Sequence, residues 1–131
     1  MIPFEITLTV NKAHIDELKH VNNVVYLQWV QDIANKHWNQ LKEGYDTSAY
    51  VWLVLRHELD YLGQANLGDE ILIKTWVGET SGIKSIRHVE FYKNEKLITK
   101  AKTYWCLVDA ITLKPKRITG DVLNVLIPHQ S

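Results

Sequence analysis

Apolar and polar side chains alternate over residues 2–10. Glu5, Thr7 and Thr9 occupy the positions between the apolar ones. A period of two residues is typical of a β-strand with one buried face. The pattern therefore predicts a strand here, and its apolar side is formed by Ile2, Phe4, Ile6, Leu8 and Val10.

A different period follows over Asn22–Leu41, where apolar residues recur at spacings of three and four in two neighbouring stripes. The stripes are Leu27, Val30, Ala34, Trp38 and Leu41, and Tyr26, Trp29, Ile33 and His37. This pattern predicts a helix that is largely buried, with only a narrow polar face. Asn22 or Asn23 is expected to cap its first turn, because a short amide side chain accepts from free backbone N–H groups. Gly44 is expected to end it.

Strand patterns return after Tyr50. They predict four long strands, over Val51–Gln64, Glu70–Glu79, Ile83–Tyr92 and Leu97–Val108. Turn-forming segments separate the last three of these strands from their predecessors. Thr119–Leu126 is predicted to add either a short helix or an extended tail.

One strand, one long helix and a four-strand meander together predict an α+β fold. A helix that is apolar on most faces needs a curved sheet wrapped around it. Such a sheet leaves edges unprotected, and pairing with a second copy covers them, so we expect a homodimer at least. No linker or repeat interrupts the pattern, and residues 1–131 are interpreted as one domain.

Composition narrows the class of protein. The chain has 131 residues, with 15 Lys+Arg against 15 Asp+Glu. Zero formal charge argues against a nucleic-acid partner, because phosphate binding needs a cationic surplus. We find no membrane-length apolar stretch and no secretory signal pattern, and therefore expect a cytoplasmic protein. The single cysteine, Cys106, excludes an internal disulfide.

The segment between the first strand and the helix carries the chemistry. It contains Asp16 and His20, and it leads to Asn22, Asn23 and Val24 at the helix N-terminus. Unpaired N–H groups and the helix dipole favour negative charge there, so a carbonyl becoming an oxyanion would be stabilised. Asp16 is placed either to attack an acyl carbon or to deprotonate water. The alternatives are that Asp16 caps the loop or pairs with Lys19, and that His20 and the asparagines only satisfy backbone groups.

Other polar residues have simpler interpretations. Cys106 is expected to be a buried structural thiol, and His57 and His88 to be cross-strand partners. His14, Asp16 and His20 match no familiar metal-ligand spacing, so no metal is expected.

Cations on the late strands suit the phosphate groups of a ligand, or form an ordinary solvated sheet face. The candidate substrate-binding residues there are Lys84, Ser85 and Arg87, with Lys100 and Lys102 nearby. Trp29 and Trp52 are candidates to line an acyl tunnel.

The motif Asp16-x3-His20-Val-Asn-Asn resembles hot-dog-fold acyl thioesterases, both the 4-hydroxybenzoyl-CoA thioesterase type and the acyl-carrier-protein thioesterases. Weaker matches at Leu59–Tyr61, Ala65–Glu70 and Gly82–Ser85 extend the resemblance over most of the chain. It implies a sheet of five or six antiparallel strands around the helix, and edge-to-edge dimers or tetramers with active sites between subunits. It also implies that Asp16 is the catalytic carboxylate, with His20 and an accessory Asp60.

Two positions depart from the family pattern. Leu18 stands where the carrier-protein branch has asparagine, and Lys19 stands where many acyl-CoA members have glycine. The expected function is hydrolysis of an acyl thioester, with acyl-CoA favoured and no cofactor. Acyl-carrier-protein hydrolysis and a non-catalytic acyl-binding role are the alternatives.

Overall fold

The computed structural model describes residues 2–127 and contains five strands and two α-helices. The elements in chain order are β1 (Phe4–Thr9), α1 (Asn23–Leu41), β2 (Tyr50–Tyr61), β3 (Glu70–Ser81), β4 (Lys84–Lys93), β5 (Lys96–Asp109) and α2 (Gly120–Leu126). All five predicted strands and the long helix are confirmed. Of the two alternatives for Thr119–Leu126, the structure has the helix.

The strands form one antiparallel sheet in the order β1-β3-β4-β5-β2. Strands β3, β4 and β5 are consecutive hairpin neighbours, whereas β2 pairs with β5 and becomes an edge. The other edge is β1. The ladder of β2 is interrupted by a bulge between Val54 and Arg56, and such a bulge bends the strand locally.

Alternation along the strands directs one face of the sheet towards α1. The buried core on that face joins residues of β3, β4 and β5 to the apolar side of the helix: Ile71, Ile73, Val89, Phe91, Ala101, Tyr26, Trp29, Val30 and Ile33. Ile33 and Phe91 are fully buried. Burial of these side chains is the main force that holds the helix on the sheet.

The polar face of α1 is broader than the sequence pattern indicated. Five helix residues are buried, while Gln28, Gln31, Asn35 and Lys36 are exposed in the single chain. The helix therefore packs along one side against the sheet. Neither described helix is long and apolar enough to cross a lipid bilayer.

The simpler interpretations of Cys106 and the strand histidines are confirmed. Cys106 is buried in β5. His57 Nδ1 lies 2.9 Å from Oγ1 of its cross-strand neighbour Thr103. The ring of His88 stacks on Trp76 of the adjacent strand, with the ring centroids 5.3 Å apart.

Candidate active site

Residues 14–22 fold into a tight hairpin that leads directly into α1. Asn22 N donates to the carbonyl oxygen of His14, and Asp16 N donates to that of His20, both at 2.9 Å. Ile15 and Val21 pair between these two hydrogen bonds. The hairpin therefore brings Asp16 opposite His20, close in sequence and in space to the start of the helix.

The Asp16 carboxylate holds the tip of this hairpin. Its Oδ1 accepts from the backbone N–H of Leu18 at 2.9 Å and of His20 at 3.4 Å. Short-range bonds of this kind are what an aspartate makes in a turn, so the loop-capping role considered from the sequence is present. The other oxygen, Oδ2, has no hydrogen-bond partner among residues 2–127, and the side chain is exposed. One oxygen thus orients the group while the second is free to meet a ligand.

Lys19 adopts the backbone conformation that glycine takes most easily. Its φ is 64°, in the left-handed region that costs a residue with a Cβ about 1–2 kcal/mol. Its N–H donates to the carbonyl oxygen of Asp16 at 3.0 Å, which closes the turn. Lys19 therefore has the left-handed backbone conformation that glycine would adopt here at lower cost.

Asn22 caps the helix, as predicted. Its Oδ1 accepts from Val24 N at 3.0 Å, and its carbonyl oxygen accepts from Val25 N at 2.9 Å. The N–H of Asn22 itself is taken by His14. Of the three residues predicted to line an oxyanion site, Asn23 alone keeps an N–H without a hydrogen-bond partner in the described part of the chain.

The loop after β2 braces the hairpin and the helix end. His20 pairs with Asn66 in a short β-bridge, and Val21 N donates to the carbonyl oxygen of Ala65 at 3.0 Å. The Tyr61 hydroxyl donates to the Asn23 carbonyl oxygen at 3.4 Å. These contacts fix the backbone of His20, and its ring is half-buried.

His14 has a structural role in the hairpin. Its Nδ1 accepts from Asn11 N at 3.0 Å, and its ring and that of Trp29 pack edge to face with the centroids 5.0 Å apart. Within residues 2–127, no three His, Cys, Asp or Glu side chains are grouped so that they could hold a metal ion.

Asp60 lies on the other face of the sheet from α1. Its neighbours Leu59 and Tyr61 both pack towards the helix, Leu59 in the core and Tyr61 against Tyr26. Asp60 is exposed and pairs in register with Lys100. One chain therefore does not bring Asp60 together with the Asp16 hairpin.

The side chains of the three candidate substrate-binding residues on β4 lie on opposite faces of the sheet. Lys84 is exposed, whereas Ser85 and Arg87 are 4% and 5% exposed and line a cavity on the helix side. The alternation of β4 causes this division, because Ser85 and Arg87 share their side with Val89. The predicted basic surface of the late strands therefore keeps its lysines but does not include Arg87. Trp52 lines the same cavity, while Trp29 lies in the core.

Comparison with known proteins assigns the chain to a family. The sequence model described as acyl-ACP thioesterase N-terminal domain matches residues 3–126. The chain belongs to this thioesterase family. No curated protein sequence matches the chain.

Solved structures confirm the hot-dog fold of this family member. A predicted thioesterase from Bacillus stearothermophilus superposes with a TM-score of 0.84 at 18% identity, covering 95% of this chain and 94% of that one. A hypothetical protein from Staphylococcus aureus, solved with CoA, gives 0.83 at 17% identity, covering 95% and 81%. The 1,4-dihydroxy-2-naphthoyl-CoA thioesterase from Synechocystis gives 0.80 at 14% identity, covering 95% of both chains. Family membership supports thioester hydrolysis in general.

Proposed function

We propose that this thioesterase-family protein hydrolyses acyl thioesters at the N-terminus of α1, with acyl-CoA as the favoured substrate. The observation that carries the proposal is the Asn23 N–H, which has no hydrogen-bond partner within residues 2–127, beside a hairpin that presents Asp16. A helix N-terminus attracts negative charge, and one well-placed donor to an oxyanion typically contributes about 3–4 kcal/mol. The thioester carbonyl oxygen would accept from Asn23 N–H as it becomes an oxyanion.

Asp16 supplies the reacting oxygen in this proposal. Because Oδ1 is held by two backbone N–H groups, Oδ2 is the atom directed to the reaction. It either removes a proton from water that attacks the acyl carbon, or attacks that carbon itself to give an anhydride that water then opens. Both routes release a carboxylic acid and a thiol. His20, held opposite Asp16, orients the water or the carboxylate.

We also propose that the active protein is a homodimer that pairs through β2. Among the described residues, no strand pairs with the outer side of this edge strand. It also exposes four large apolar side chains within residues 51–55: Val51, Leu53, Val54 and Leu55. Exposed apolar edges of this kind favour strand pairing with a second copy. A Leu53→Lys variant would then elute as a monomer in size-exclusion chromatography, and unchanged dimer elution would contradict the proposal.

Acyl-carrier-protein thioesters are the second candidate substrate, favoured by the family described above. Against them stands Leu18, 74% exposed at the hairpin tip, where the carrier-protein branch carries an amide. Rates of hydrolysis for hexanoyl-CoA and hexanoyl-carrier protein, measured side by side, test the choice. We expect faster turnover of the CoA thioester. Turnover of the carrier-protein thioester alone would reverse the assignment, and no turnover of either would leave an acyl-binding module.

A further inference from the structure

A cavity of about 310 Å³ lies between the C-terminal half of α1 and the sheet. Its apolar walls include Trp38, Tyr50, Trp52, Val77, Trp105 and Leu126, and polar side chains line the rest: Asn35, Lys42, Thr47, Ser85 and Arg87. Small-molecule sites in proteins usually occupy about 300–1,000 Å³ and combine apolar walls with a few polar groups that fix orientation. This cavity is therefore large enough for a small ligand with an apolar body.

Arg87 brings a buried positive charge to this cavity. Its Nη1 donates to Thr75 Oγ1 at 3.1 Å and lies 2.8 Å from His37 Nδ1. Burial lowers the pKa of Arg87 to about 10, so the guanidinium is charged at neutral pH. No carboxylate within residues 2–127 forms an ion pair with it, and its Nε and Nη2 have no hydrogen-bond partner there. A buried charge without a counter-ion is costly, so the site favours an anion.

The other lining residues leave the charge of Arg87 unbalanced. Lys42 is a second cation in the lining, while the lining residues of the described chain include neither Asp nor Glu. Trp52 and Trp105 contribute apolar wall, and their Nε1 atoms are fully buried behind it. The charged side chains that line the cavity are therefore both cations, which suits an anionic ligand.

We propose that this cavity binds a carboxylate carried on an apolar body, with Arg87 as its counter-ion. A guanidinium matches a carboxylate geometrically, because two parallel N–H groups meet its two oxygens. The carboxylate is the far end of an acyl thioester, an assignment that rests on the proposed function. A free carboxylic acid offers the same chemistry, and the experiments below distinguish the two sources.

The cavity and the helix N-terminus are separated within one chain. Asn23 and Ala34 are eleven residues apart on α1, which is about 16 Å at 1.5 Å per residue, and buried helix residues fill the space between. An antiparallel pairing of two β2 edges around the bulge would bring the Tyr61 end of one strand to the Tyr50 end of the other. The cavity of one copy would then face the hydrolytic centre of the second.

Binding of hexanoate and of its neutral counterpart hexanamide tests the charge requirement. Trp38, Trp52 and Trp105 line the cavity, so intrinsic tryptophan fluorescence should report occupancy. We expect hexanoate to bind at least about 10-fold more tightly than hexanamide, as charge-assisted hydrogen bonds allow. Equal affinity for the acid and the amide would overturn the proposal without any variant.

Arg87→Met should abolish this preference for the acid, because it removes the charge and keeps an apolar side chain. Arg117→Met makes the same change at an exposed arginine and should retain the preference. Urea unfolding of both variants verifies that they are folded. A folded Arg87→Met variant that still prefers hexanoate would contradict the assignment of Arg87.

Hydrolysis of adipoyl-CoA and hexanoyl-CoA distinguishes the two sources of the carboxylate. These thioesters have equal chain length and differ in the terminal carboxylate. We expect kcat/KM to favour adipoyl-CoA by about 10-fold, and the ratio of the two kcat/KM values to fall to about one in Arg87→Met. Tight hexanoate binding with no adipoyl preference would assign the cavity to free acids and refute the acyl assignment. Hexanoate binding without hydrolysis of either thioester would instead refute the proposed function and leave the carboxylate site standing.

Discussion

The pH dependence of stability tests the contact between His37 and Arg87. Burial, and then the charge of Arg87, lower the pKa of His37 from 6.5 to about 4. The unfolded chain therefore binds a proton between these two values while the folded chain does not. The stability due to neutral His37 is complete above pH 6.5 and is lost as the pH falls towards about 4. For a fully shielded ring the loss from pH 7 to pH 5 would be about 2 kcal/mol. The ring of His37 is only partly buried, and solvent screening reduces this loss to about 1 kcal/mol.

A His37→Asn variant isolates this contribution in urea unfolding at about pH 7 and about pH 5. Asparagine can place an acceptor near the position of Nδ1 but does not titrate. His57, whose pKa burial also lowers, is common to both proteins and cancels in the difference. The wild-type protein should lose about 1 kcal/mol more free energy of unfolding than the variant over this interval. Equal losses would contradict the lowered pKa of His37 beside Arg87.

Two further substitutions test the hairpin and the core. Lys19→Gly should raise the free energy of unfolding by about 1 kcal/mol, because glycine removes the cost of the left-handed conformation. A lower urea midpoint for the variant would instead show that the lysine side chain stabilises the turn. Ile33→Ala should lower the free energy of unfolding by about 2–5 kcal/mol, because a fully buried side chain leaves a cavity. Lys36→Ala, on the exposed face of the same helix, should change it by less than about 0.5 kcal/mol.

The strands were predictable because their signal is local. Each of the four strands after Tyr50 ends within three residues of its predicted bounds. The largest difference is at the end of β2, where Leu62 N and Gly63 N both donate to the carbonyl oxygen of Ile98 and the regular ladder stops. The pairing of β2 with β5 joins strands that are distant in sequence, and no local sequence pattern indicates it. Only the structure therefore shows that β2 is an edge strand.

The candidate site also contains features that the local sequence indicates and features that it does not. The Asn22 cap and the turn at Asp16 arise from bonds between residues two to four positions apart, so the sequence indicates them directly. The Arg87 cavity collects side chains from both helices and from β2, β3, β4 and β5, and no motif unites them. One signal was present in β4, since alternation places Ser85 and Arg87 on the same side as the core residue Val89.

The thioester hydrolysis rate of an Asp16→Asn variant tests the central claim most directly. Asparagine keeps an oxygen that can accept from Leu18 N and His20 N, so the hairpin should persist while the reacting carboxylate is lost. Glu17→Gln is the matched control, because it neutralises the neighbouring exposed carboxylate. With hexanoyl-CoA as substrate, kcat/KM should fall at least about 100-fold in Asp16→Asn and stay near the wild-type value in Glu17→Gln. Wild-type hydrolysis by a folded Asp16→Asn variant would contradict the assignment of Asp16 as the reacting group.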